Sequence, residues 1–129
     1  MASITLWKNK NNKQVDPALF SVIAEDLAKR IGQEDRRKNK STQLRRFFDE
    51  LARINARAQS DEDDWNLTLP MVHMMVAKTA YAQGRGLVTK SFVKLMRDGI
   101  TQVHDRDDLQ VLTNFMEAFM GFYKVYGPR

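Results

Sequence analysis

His73 and His104 are the only imidazoles in the 129 residues, and there is no cysteine. The histidines fall on different predicted elements. Neither has a His-x-x-x-His or His-Glu companion, so the spacing that metal ligation needs is missing. His73 lies between apolar residues and reads as a core or edge histidine. His104-Asp105 reads as a loop pair, because general acid–base work requires a positioned partner and a pocket. The run Asp61-Glu62-Asp63-Asp64 lacks the Asp-x-Asp-x-Asp-Gly order of a calcium loop and reads as a solvated acidic loop. Gly84-x-Gly86 follows a helix, whereas glycine loops that cradle phosphates precede one. The absence of cysteine excludes a disulfide framework, thiolate zinc sites, iron–sulfur ligation and a cysteine nucleophile. The expectation is therefore no metal, no cofactor and no catalytic residue, in a protein that is not an enzyme.

Cations remain as the functional signal. Twenty-one Lys and Arg against sixteen Asp and Glu give a net charge of +5 and an isoelectric point near 9.6, which favours polyanionic partners. Lys40, Arg45, Arg46, Arg53 and Arg57 crowd one segment, Arg85 sits between two glycines, and Lys90, Lys94 and Arg97 recur at i, i+4 and i+7. Surface cations solvate any helical domain, so position has to decide. Two helices carry their basic residues opposite their apolar faces, and the glycine turn fixes an arginine where simple solvation would need no such geometry. Phosphate contacts require cations along a path and no catalytic group.

The elements that position these residues follow from apolar periodicity. Residues 1–15 are polar and read as a loosely ordered N-terminal arm with Leu6 and Trp7 as anchors; 16–129 read as a single helical domain. Asp16-Pro17 predicts the start of a first helix, with Leu19, Phe20, Ile23, Leu27 and Ile31 as its stripe and Gly32 as its stop. Ser41 or Thr42 predicts the cap of a second helix running to about Gln59. Its apolar side is Leu44, Phe47, Phe48, Leu51, Ile54 and Ala58, with Arg46, Arg53 and Arg57 opposite. Thr68-x-Pro70 predicts a third helix through Tyr81. Few polar residues interrupt it, so both its sides should be covered, making it the central helix, closed by Gly84-Arg85-Gly86. Thr89 predicts the cap of a fourth, with Phe92, Leu95, Met96, Ile100 and Val103 inward. Asp107 or Asp108 predicts the start of a fifth, which ends at Tyr126 before Gly127-Pro128. Its aromatics are core at this spacing, with Tyr123 or Tyr126 as the candidates for a surface. The predicted core includes Phe47, Phe48, Leu51, Met75, Tyr81, Phe92, Leu95, Phe115 and Phe119. No segment alternates with period two, so the fold class is all-α: a single compact bundle of five helices, or six, without a sheet. No apolar run approaches the ~18 residues of a membrane span. No membrane partner and a cytoplasmic location are expected.

Three blocks, Ser41-Thr42-Gln43-Leu44-Arg45-Arg46-Phe47-Phe48, Tyr81-Ala82-Gln83-Gly84-Arg85 and Phe115-Met116-Glu117-Ala118-Phe119 continuing through Phe122-Tyr123-Lys124-Val125-Tyr126-Gly127, occur in an order and spacing that resembles the Csm-type small subunit of type III-A CRISPR effector complexes. The likeness covers roughly 40–127. It implies a five- or six-helix bundle stacked in several copies within the effector and serving antiviral defence. The subunit would contact target RNA and the guide–target duplex backbone, its own copies and other subunits, while target cleavage belongs elsewhere in the complex. By the family pattern Arg45 and Arg85 contact RNA, with Lys40, Arg46 and Arg53 as neighbours. Gln43 departs from it, since many members carry lysine there, so that contact is either lost or supplied by Lys40 or Arg46. Charge complementarity suggests that the acidic loop 61–64 meets a basic patch on the next copy. The competing reading is a helical protein-interaction adaptor with a basic surface and no RNA contact.

Overall fold

The computed structural model describes residues 3–60 and 63–128. A 3-10 turn, Pro17–Phe20, leads into five α-helices: α1 (Val22–Glu34), α2 (Ser41–Gln59), α3 (Trp65–Gly84), α4 (Lys90–Ile100) and α5 (Arg106–Tyr126). Among the described residues the only β pairing is an isolated antiparallel bridge between Asn9 and Gln14.

The centre of the bundle is α5. It packs against α1, α2, α4 and the 3-10 turn, while α3 rests chiefly on α2 and α4. Its apolar arc is wide: Leu109, Val111, Leu112, Phe115, Met116, Phe119, Met120 and Tyr123 are all buried. The Phe119 and Tyr123 rings stack at 5.3 Å. The expectation that α3 is central is thus overturned. Only Thr68, Val72, Met75, Thr79 and Ala82 are buried along α3, and Tyr81, expected in the core, is exposed. So is His73, which stands on the outer side of α3. Apolar composition alone cannot tell which of two apolar helices wins the interior, and α5, which carries five aromatics, fills it.

Helix boundaries move where a tertiary contact replaces the local signal. Gly32 does not stop α1; it is buried within it, and a Cβ there would lie 2.6 Å from the Tyr126 carbonyl oxygen, so its role is to let α1 approach the end of α5. Ser41 opens α2 without capping it: its amide and its hydroxyl both donate to the Pro128 carbonyl, each at 3.1 Å. Helix α3 begins five residues before Pro70, with the Asp64 carboxylate accepting from the Asn66 amide, and Pro70 lies inside it. Helix α5 begins at Arg106, fixed by a reciprocal capping box between Asp105 and Asp108. Tyr123 is wholly buried, contrary to the expectation that it could reach the surface.

Asn39 ties these ends together. It is fully buried and left-handed at φ 56°. Its side-chain amide donates to the Ile31 carbonyl at 3.2 Å and to Thr89 Oγ1 at 2.9 Å, and its Oδ1 accepts from the Thr89 amide at 2.9 Å. Its own amide donates to the Leu87 carbonyl, and its carbonyl accepts from the Tyr123 hydroxyl. Thr89 therefore precedes α4 as expected, but its hydroxyl serves Asn39 and not the helix.

The N-terminal segment lies along the α4–α5 corner. Ile4 and Leu6 are buried. The Gln102 side chain donates to the Ile4 carbonyl and accepts from the Leu6 amide, each at 2.9 Å. Asp108 accepts from Trp7 Nε1 at 2.7 Å and pairs with Lys10 at 2.9 Å. Burial alone would raise the Asp108 pKa, but hydrogen bonds from Lys10, the His104 amide and Trp7, with the charge of Lys10, hold it below the ordinary carboxylate value.

Asn39→Ala leaves three partners unsatisfied and strains the left-handed backbone, so a loss of about 2–4 kcal/mol is expected in urea unfolding. A depressed folded pKa means that the contribution of Asp108 is complete above the unfolded-chain value near 3.8 and fades as pH falls through the lower folded one. Unfolding midpoints measured across that acidic window should fall less steeply for Asp108→Asn than for the wild type.

Candidate nucleic-acid interface

The eight cations singled out by sequence are Lys40, Arg45, Arg46, Arg53, Arg57, Arg85, Lys90 and Lys94. They arise on two helices and two connections; Lys40, Arg45, Arg46, Arg85, Lys90 and Lys94 come from one end of the bundle, and Arg53 and Arg57 from the second half of α2. At that end α2 and α4 begin and α3 ends, and the Asn39–Thr89 contacts hold the two starts in register. Lys40 precedes α2 directly, Lys90 opens α4 and Arg85 caps α3.

The α3 terminus shows why an arginine is fixed here. Gly86 has φ 77°. The Gly86 amide donates to the Gln83 carbonyl and the Leu87 amide to the Ala82 carbonyl. These are the paired bonds of a Schellman closure, whose left-handed residue favours glycine. Arg85 immediately precedes it, and its guanidinium lies over the Tyr81 ring at 5.9 Å. Because α2 and α3 run antiparallel, bridged by Lys78 and Glu50, Arg85 lies toward the start of α2, in the direction of Arg46.

Electrostatic pairing divides the candidates. Arg46, Arg53, Arg85 and Lys90 are exposed, and none forms an ion pair with the described residues. Arg45 faces Asp49 at 3.6 Å and lies over the Phe48 ring at 5.7 Å. Arg57 grips Asp63 at 2.8 Å, whose carboxyl is thereby held below the usual range. Lys94 pairs with Asp98 at 2.7 Å. Of the acidic run, Asp63 and Asp64 thus have partners within the chain, while Asp61 and Glu62 lie outside the described residues.

The cations do not form a single cluster. Arg46 and Arg53 point outward from α2, and the Arg85 turn continues from them toward α4. There Lys90, Lys94 and Arg97 line a depression of about 420 Å³ with Gln83, Ser91 and Val93. Arg45 faces another side, in an opening of about 390 Å³ with Ser41, Thr42, Met120 and Lys124. Lys124 escapes a sequence reading, since nothing in its own helix relates it to α2. His73 lies on the exposed side of α3 and His104 in the link before α5; among the described residues, no group of His, Asp and Glu side chains forms a metal-binding cluster. Spaced cations of this kind can neutralise phosphates along a backbone without reading bases.

A family model described as Csm2 Type III-A matches residues 16–129. No curated protein matches the chain, and no solved structure does.

The two glycines of the Arg85 turn should respond oppositely to substitution. Gly86→Ala forces a left-handed alanine and should cost about 1–2 kcal/mol. Gly84→Ala sits at a helical position with open space around its Cβ and should be neutral or stabilising, by up to about 1 kcal/mol. Thermal melts of the two variants check this.

Proposed function

We propose, because the chain belongs to the Csm2 Type III-A family of CRISPR effector small subunits, that it is a non-catalytic member of that complex which stacks in several copies and holds target RNA and the guide–target duplex by their backbones. The family match carries this reading. In RNA-guided systems base pairing selects sequence, so such a subunit needs shape and positive charge and no base-reading motif. Arg46, Arg53, Arg85 and Lys90, uncommitted to ion pairs, are the leading phosphate contacts. Lys40 lies beside them at the start of α2, and Arg45, Arg57 and Lys94 would have to exchange or share a carboxylate partner to join.

The adaptor reading has its own support in the exposed apolar side chains of α3, which mark contact with protein. Such a contact is compatible with the effector reading, since a stacked subunit has protein neighbours.

The deciding experiment is binding of the purified chain to labelled single-stranded RNAs of unrelated sequence across a salt series. Arg46→Ala/Arg85→Ala should weaken all sequences alike and reduce the log–log salt slope by about 0.7 for each phosphate that is no longer neutralised. Arg45→Ala should do less, because Asp49 already draws on its charge. Weakening confined to some sequences would contradict backbone recognition, and variants that bind as well as the wild type would favour the adaptor.

A further inference from the structure

Among the described residues, three arginines lie over aromatic rings: Arg45 over Phe48, Arg106 over Trp65 and Arg85 over Tyr81. Two of the three are also engaged by oxygen. Arg45 Nε stands 3.6 Å from the Asp49 carboxylate, and Arg106 donates to the Ala58 and Asp63 carbonyls at 2.9 and 3.2 Å. The Arg85 guanidinium has no such partner among the described residues. What holds it is the Tyr81 ring, 5.9 Å from its central carbon.

The backbone joins the same two residues. The Arg85 amide donates to the Tyr81 carbonyl at 3.1 Å, and the closure at Gly86, with φ 77°, fixes the turn that Arg85 enters. Both ends of Arg85 therefore rest on Tyr81. Tyr81 in turn takes no part in the core: it is 68% exposed, and its hydroxyl has no hydrogen-bond partner among the described residues.

We propose that Tyr81 is a positioning residue for RNA that acts through Arg85, its ring holding the guanidinium in place while leaving the N–H donors open to a phosphate. The proposal rests on the reading of Arg85 as a phosphate contact. A carboxylate that holds an arginine occupies its donors and offsets its charge, as Asp63 does to Arg57. A ring does neither, because the attraction runs between the cation and the face of the π system. Arg85 thus keeps its charge and its fork of donors. Part of its side-chain freedom is already lost before the phosphate arrives, which lowers the entropic cost of the contact. Arg46 and Arg53 lie over no ring and have no such restraint.

The test is RNA binding by the wild type, Tyr81→Leu, Tyr81→Phe, Arg85→Ala and the Tyr81→Leu/Arg85→Ala double variant, across one salt series. Leucine keeps an apolar helix former without a ring; phenylalanine keeps the ring. A cation–ring contact at an exposed site raises the population of the held conformer by about two- to fivefold, and affinity follows that population. Tyr81→Leu should weaken binding by this factor at every salt concentration and leave the log–log slope unchanged, whereas Arg85→Ala lowers the slope. Tyr81→Phe should bind as the wild type does. In the Arg85→Ala background Tyr81→Leu should have no further effect. Without RNA, the ring-current shift of the Arg85 Nε proton should be present in the wild type and Tyr81→Phe and absent in Tyr81→Leu.

Binding of wild-type strength by Tyr81→Leu, where Arg85→Ala binds weakly, overturns the proposal and leaves the RNA reading standing. A loss in Tyr81→Phe as large as in Tyr81→Leu assigns the contact to the hydroxyl, and an equal loss in the Arg85→Ala background assigns it to the ring itself; either overturns the proposal. Binding that is absent in the wild type, or indifferent to Arg85→Ala, overturns the phosphate reading of Arg85 and the proposal with it, even where the ring-current shift shows the pair intact.

Discussion

Asn39 is a buried polar residue in a backbone conformation that side chains other than glycine adopt reluctantly, and the ends of α1, α2, α4 and α5 are all set by what it touches. A buried amide costs free energy unless its hydrogen-bonding groups find partners. Here the partners are the Ile31 carbonyl near the end of α1, both the amide and hydroxyl of Thr89, the Leu87 carbonyl and the Tyr123 hydroxyl. Satisfying one residue therefore fixes a segment of link against three helices and a turn. Burial, followed by the nearby Glu34 charge, raises the Tyr123 phenol pKa above its ordinary value, so the hydroxyl stays a donor throughout the physiological range.

The cationic end of the bundle inherits that constraint. Lys40 follows Asn39 directly, and Lys90 follows Thr89, so two backbone hydrogen-bonding residues set where two cations leave the surface. Arg85 is positioned by a second, independent device, the closure at Gly86, which sits one residue before the Leu87 carbonyl that Asn39 engages. The Arg85 and Lys90 side chains remain exposed, and Lys40 is half-buried. A rigid base under long cationic side chains suits a partner whose charge is regular but whose sequence varies.

Helices with a sharp division between apolar and charged sides are legible from the sequence. The stripes of α2 and α4 are buried as their spacing indicates, save Phe48, which is partly exposed beneath Arg45, and the outward direction of Arg46, Arg53, Lys90 and Arg97 follows from the same periodicity. The ion pairs Arg45–Asp49 and Lys94–Asp98 are i, i+4 neighbours and can be read from spacing alone; Arg57–Asp63 crosses a helix end and cannot. Asn39 gives no signal because its role is made by Thr89 and Tyr123, residues distant in sequence. Gly32 misleads for the same reason: a glycine that admits a neighbouring carbonyl looks, in one dimension, like a glycine that ends a helix. The start of α3 is hidden because Thr68-x-Pro70 mimics a cap, while Asp64, the true one, is absorbed into the acidic run.

The misplacement of α3 has a different origin, one of layers. Periodicity states how much of a helix wishes to leave water, not whether its own chain can supply the cover. A chain of this size builds one core, and α5 occupies it with Phe115, Phe119 and Tyr123 wholly buried. With α2 and α4 laid against one side of α3, no element among the described residues covers the other, since the N-terminal segment is drawn instead to Asp98, Gln102 and Asp108 on the far corner. The apolar composition of α3 therefore leaves Leu67, Met71, Met74 and Tyr81 at the surface. Arg85, over the Tyr81 ring, stands at the border between this surface and the cations of α2.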